Sequence, residues 1–120
     1  MKIKIQSIAD KGIYEKERLV MKVIADCDVG DFLLLRAGYR EGSVTTGVHN
    51  TFWFPDEYVE AGDLVVVYSK SGKQNTKQLN SGKTAHFFYW GRDAALWNTK
   101  SKAPVLMHCP EWESADPEEL

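Results

Sequence analysis

The sequence has few cysteines, no long hydrophobic run and no low-complexity segment. Its two cysteines, Cys27 and Cys109, are too few for a disulfide framework, and we expect both to be small buried side chains with free thiols. No stretch of about 18 apolar residues is present, which argues against a membrane-spanning helix. The N-terminal residues alternate polar and apolar types and lack the apolar core of a secretory signal. The expected location is therefore the cytoplasm.

A helical pattern is also missing, because no segment longer than about ten residues repeats its apolar side chains every 3.6 residues. Short strand patterns occur instead, and the clearest alternation runs from Leu19 to Cys27. We read residues 38–50 as a loop or a weak edge strand, and residues 56–61 as one helical turn. The predicted strands are residues 2–8, 17–27, 32–37, 51–54, 64–69, 85–90 and 105–107. Seven short strands separated by turn residues predict one all-β domain, a sandwich or a barrel.

One stretch, FWFPDEYVEAGDLVVVY from Phe52 to Tyr68, resembles a motif of the lamin tail domain family. In that family an aromatic-Phe-Pro sequence leads to a glycine and then to a hydrophobic strand, and here Phe54, Pro55 and Gly62 fill those roles. Two other stretches agree in order with the family, ERLVMKVIADCDVGDFLLLR before this motif and FYWGRDAALWNTKSKAPVLM after it. The resemblance implies an immunoglobulin-like β-sandwich of the lamin-tail type over residues 1–110. An acidic C-terminal tail, residues 111–120, follows.

The residues of the FWFPDEYVEAGDLVVVY motif are expected to stabilise the fold and not to bind a ligand. Side chains alternate along a strand, so Phe52 and Phe54 are predicted to point into the core and Trp53 to the opposite face. Pro55 ends the strand, since proline cannot donate to a ladder of hydrogen bonds. Gly62 supplies the permissive backbone of the next turn.

The resemblance also implies a class of function, because domains of the lamin tail family look like non-catalytic interaction modules. We therefore expect a binding or assembly module and not an enzyme. Its partner is either an unknown protein or a second copy, and exposed strand edges offer a route to pairing. A further alternative is an accessory domain associated with a hydrolase. No cofactor is implied.

Charge is unevenly distributed along the chain. The formal net charge is −2, yet residues 70–102 carry seven basic residues and one acidic residue, Asp93, which gives this segment +6. Basic side chains neutralise phosphates, and Trp90 and Trp97 lie among them, so an alternative function is contact with nucleic acid. The candidate binding residues are Lys70, Lys73, Lys77, Lys83, Arg92, Lys100 and Lys102.

The segment SGKQNTKQLNSGKT, residues 71–84, ends like a phosphate-binding loop. That motif requires glycine at position 77 and a helix after the final lysine. Position 77 is Lys77, and the residues that follow predict a strand. We therefore expect a long, flexible connection and no nucleotide binding by this mechanism.

Other catalytic and metal-binding patterns are not found. The three histidines, His49, His86 and His108, are scattered, although a metal site needs clustered ligands. Ser43 lies in the sequence EGSVT, which is not a nucleophile elbow. We predict neither catalytic nor metal-binding residues.

Overall fold

The computed structural model describes residues 1–120 and is nearly all β, with 49% of the residues in strands and 5% in helix. The only helices are two three-residue 3₁₀ turns, and neither can span a bilayer. The strands are β1 Ile3–Ala9, β2 Arg18–Val23, β3 Cys27–Asp28, β4 Phe32–Arg40, β5 Ser43–Trp53, β6 Tyr58–Val59, β7 Leu64–Tyr68, β8 Asn75–Gln78, β9 Thr84–Tyr89 and β10 Lys102–His108.

Two larger sheets form the two layers of the domain. One sheet has five strands in the order β1-β2-β7-β9-β8, and the other has three in the order β10-β4-β5. A short bridge between β3 and β6 lies beside them. Side chains from both sheets meet in one core, an arrangement consistent with a β-sandwich. The core residues are Ile3, Leu19, Met21, Val23, Val29, Phe32, Leu34, Phe54, Val59, Val65, Val67 and Phe88.

The alternating pattern of β2 explains its place in the centre of the domain. Leu19, Met21 and Val23 point inward and are at most 1% exposed. The residues between them point to the outer face of the five-stranded sheet, where Lys22 remains exposed. The strand predicted over residues 17–27 is confirmed for residues 18–23, whereas residues 24–26 lie outside the strands. β7 and β9 confirm two other predicted strands.

The motif at Phe52 is arranged as predicted. Phe54 is 3% exposed, and Phe52 packs edge-on against it with ring centroids 5.0 Å apart. Trp53 points to the other face and is 52% exposed. Gly62 has a φ of +93°, a conformation that favours glycine, so its role in the turn is confirmed.

Three local predictions need correction or refinement. Within residues 38–50, β4 continues to Arg40 and β5 begins at Ser43, so the edge-strand alternative is confirmed and the loop alternative is wrong. Residues 56–61 form no helical turn, because β6 pairs with β3 there. The connection at residues 70–84 contains β8, which pairs with β9. All four residues of β8 are exposed, so its sequence has no hydrophobic alternation to reveal a strand.

The cysteines and the tail complete the fold. Cys27 and Cys109 are free and half-buried, and burial raises the pKa of the Cys27 thiol. All ten residues of the acidic tail, 111–120, are exposed. Within it, Trp112 packs edge-on against Trp53 of β5, with ring centroids 4.9 Å apart.

Candidate functional site

The edge of the three-stranded sheet formed by β5 is the longest unpaired edge in the domain. β5 has eleven residues and pairs only with β4, so its other side presents free backbone N–H and C=O groups. Nine of its residues are exposed, including Val44 at 50% and Val48 at 52%. The strand contains no lysine, arginine, aspartate, glutamate or proline. It is therefore a long, uncharged edge that is open to a further strand.

The other edges of the two larger sheets are protected. Proteins commonly block edge strands with lysine or proline, because either one hinders pairing with another chain. β1 carries Lys4, β8 carries Lys77, and β10 carries Lys102 and Pro104. Only β5 has neither residue type, which sets this edge apart from the other three.

Both ends of β5 are fixed in position. A two-residue turn joins it to β4, and Glu41 and Gly42 have φ angles of 54° and 83°, as the tight turns of β-hairpins require. At the other end, the indole N–H of Trp53 donates to the carbonyl oxygen of Gly30 at 3.2 Å. The register with β4 is irregular between Arg36 and Tyr39, which bends the middle of the hairpin. The edge is thus held by the fold at both ends.

The predicted basic residues lie on several different elements of the fold. Lys70 lies 3.8 Å from a carboxylate oxygen of Glu15 and 5.3 Å from the ring centroid of Tyr68. Lys77 lies on β8, and Lys73 precedes that strand in an exposed segment.

The remaining four predicted residues lie elsewhere. Lys83 lies at the turn near Gly62, where a Cβ on that glycine would meet its side chain at 2.9 Å. Arg92 is exposed, and its carbonyl oxygen accepts a hydrogen bond from the Tyr14 hydroxyl at 2.6 Å. Only Lys100 and Lys102 share a cavity.

The two tryptophans in the basic segment belong to the core and not to a base-stacking surface. Trp97 is 2% exposed, and Trp90 is half-buried against the core cluster. Their ring centroids lie 6.1 Å apart. Their packing explains why the closing stretch of the sequence is rich in aromatic residues.

A buried carboxylate, Glu17, joins segments that are far apart in the sequence. It is 0% exposed and accepts hydrogen bonds from the Ser69 hydroxyl at 2.5 Å and from the Leu96 amide at 2.6 Å. The amides of Gly12 and Trp97 donate to its other oxygen at 2.7 and 3.3 Å. Burial alone would raise the pKa of Glu17, but these four hydrogen bonds together hold it below its usual value.

A second buried polar cluster surrounds His86. Its Nδ1 lies 2.8 Å from a carboxylate oxygen of Glu57, and its Nε2 lies 2.9 Å from one of Asp63. Asp63, which is 5% exposed, also accepts from the amides of Thr84 and Glu60 at 3.0 Å each. Burial raises the pKa of Asp63, yet these hydrogen bonds and the nearby imidazole lower it overall. Each ring nitrogen of His86 therefore lies within hydrogen-bond distance of a different carboxylate.

Sequence reasoning missed both polar clusters. The partners of Glu17 lie up to 80 positions away, and those of His86 lie 23 and 29 positions away. The structure contains no group of three His, Cys, Asp or Glu residues that could hold a metal ion. Comparison with protein-family models and with curated proteins finds no match to this sequence.

Proposed function

We propose that this chain is a non-enzymatic assembly module, an immunoglobulin-like β-sandwich of the lamin-tail type, whose copies associate by pairing their β5 edges. The observation that carries the proposal is the contrast between the four sheet edges. β1, β8 and β10 carry lysine or proline, whereas the eleven residues of β5 carry no charge and no proline. An edge of this length without charge or proline is a template for strand addition.

A second copy fits this edge better than a charged partner segment does. In an antiparallel pair formed by two identical strands, each residue faces a residue of the same segment, and like charges would repel one another. β5 contains no charged residue that would oppose such a pair, and Val44 and Val48 add exposed apolar side chains to it. Pairing of two copies would join their three-stranded sheets into one continuous sheet.

A charge placed on β5 should prevent this association. Thr46 is exposed, and its side chain makes no hydrogen bond within the chain. We expect Thr46→Lys to weaken dimerisation by about tenfold or more, because a lysine on an edge strand hinders its pairing with another chain. Sedimentation velocity over a concentration series measures the effect.

Two control variants separate the edge from general effects of substitution. Thr46→Val keeps the edge uncharged and should leave the dimer intact. Gln6→Lys places the same charge on β1, an edge that already carries Lys4, and should also leave it intact. A wild-type chain that stays monomeric at high concentration would contradict the proposal, as would equal weakening by Thr46→Lys and Gln6→Lys.

A further inference from the structure

A basic groove lies between the end of β1 and the start of β10. Its volume is about 510 Å³, within the range of about 300–1,000 Å³ that is usual for small-molecule sites. Three lysines line it, Lys11, Lys100 and Lys102, together with Tyr39 and Pro104. No aspartate or glutamate is among the lining residues.

The walls of the groove are fixed by the Glu17 carboxylate. Its oxygens bind the amide of Gly12, next to Lys11, and the amides of Leu96 and Trp97, just before Lys100. The two walls also touch directly, because a Cβ on Gly12 would meet the Cβ of Asn98 at 3.3 Å.

The third wall is held by the backbone. The Tyr39 amide donates to the carbonyl oxygen of Ser101 at 2.8 Å, which fixes the residue between Lys100 and Lys102 against β4. The lysines therefore come from three segments that are fastened to one another, and the groove is a built feature of the fold.

The charge of this groove is not neutralised within the chain. None of its three lysines forms a salt bridge. Lys102 is half-buried, which makes the lack of an acidic partner more costly than it would be on an open surface. An anion bound here would supply the missing negative charge.

The groove also has an apolar side. Tyr39 is 39% exposed, and Pro104, Ala103 and Ile8 line the cavity with it. A flat ring can pack on such side chains while an attached phosphate faces the lysines. We propose that the groove binds a nucleoside phosphate unit, either as a free nucleotide or within a single strand of nucleic acid. Lys11, Lys100 and Lys102 hold the phosphate, and Tyr39 contacts the base.

The test is a set of titrations monitored by NMR, with AMP, inorganic phosphate, adenosine and a short oligodeoxythymidylate as probes. AMP should bind more tightly than either phosphate or adenosine, because only AMP engages both sides of the groove. If AMP binds and the oligonucleotide binds no more tightly than AMP, the site is assigned to free nucleotides. Binding of the oligonucleotide that is at least 100-fold tighter assigns it to a strand.

Matched variants locate the binding. Lys100→Glu and Lys102→Glu should each weaken AMP binding by about tenfold or more, since each removes a charged hydrogen bond to the phosphate and adds repulsion. Lys77→Glu on β8 makes the same charge change outside the groove and should have no effect. Tyr39→Leu should weaken AMP binding and spare phosphate.

Several results would overturn the proposal. They are the absence of binding by both AMP and the oligonucleotide, equal loss with Lys77→Glu, and adenosine or inorganic phosphate binding as tightly as AMP. The NMR spectrum of each variant is compared with that of the wild type. Unchanged signals from residues far from the substitution show that the fold is retained, so a loss of binding can be assigned to the groove.

Discussion

Replacement of Glu17 by alanine is expected to lower the free energy of unfolding by about 3–5 kcal/mol. The substitution leaves three buried donors, from Ser69, Leu96 and Trp97, and the partly buried amide of Gly12 without their acceptor. Each unpaired donor costs free energy, and the cavity left by the side chain adds to the loss. Since a domain is typically stable by about 5–15 kcal/mol, this loss removes a large part of the total. Urea denaturation measures it.

Two other variants serve as a control for the loss of charge and as a test of the hydrogen bonds to Glu17. Glu15 carries the same charge two residues earlier, and its side chain is 74% exposed, so Glu15→Ala should change stability by less than about 1 kcal/mol. Glu17→Gln keeps one acceptor oxygen but directs an NH₂ group towards donors. Its loss of unfolding free energy should lie between those of Glu15→Ala and Glu17→Ala. If Glu17→Ala were no more harmful than Glu15→Ala, the four hydrogen bonds would not stabilise the fold as described.

The Glu17 carboxylate also predicts acid sensitivity. Its pKa is lower in the folded chain than in the unfolded chain, so the unfolded chain takes up the proton first as the pH falls. The stabilisation is complete above the unfolded value of about 4.3 and is lost as the pH falls through the folded pKa. The stability of Glu17→Gln should therefore depend less on pH in this range than that of the wild type.

Replacement of Asp63 by alanine is expected to have an effect of similar size, about 3–5 kcal/mol. The change removes the acceptor for His86 and for the amides of Thr84 and Glu60, and it leaves the imidazole with one carboxylate partner. Both the turn before β7 and the start of β9 depend on these contacts. Thermal or urea unfolding measures the loss.

Glu57 provides the comparison for Asp63 because it binds the other nitrogen of the same ring. Its side chain is 25% exposed, whereas that of Asp63 is 7% exposed, so water can replace Glu57 more easily. Glu57→Ala should cost clearly less than Asp63→Ala. Equal losses would mean that the burial of Asp63 does not determine the strength of this cluster.

Local sequence patterns predicted the strands that contribute to the core. Alternating apolar residues in β2, and the aromatic residues at Phe52 and Phe54, were correctly placed because burial on one face leaves a period of two in the sequence. The same reasoning could not identify β8, all of which is exposed. It left residues 43–50 of β5 undecided between a loop and an edge strand, because seven of these eight residues are exposed and the apolar ones follow no clear period.

The candidate sites were harder to predict because they depend on contacts between distant segments. The sequence grouped seven basic residues by position, yet the fold places Lys77 on a sheet edge and brings Lys100 and Lys102 together with Lys11. Lys11 lies far outside the basic segment. Likewise, no local signal shows that Glu17 would meet Leu96.

Amide hydrogen exchange at β5 tests the assembly proposal most directly. The Gly47 amide donates to the Thr45 hydroxyl at 3.2 Å and is left out of the comparison. The other N–H groups of β5 that face away from β4 have no neighbouring strand, so they should exchange rapidly in dilute solution. Pairing of two copies would give them hydrogen-bond acceptors. We predict that their exchange slows as protein concentration rises, while exchange at the β8 edge stays unchanged. Rapid exchange of these β5 amides at every concentration would contradict the account.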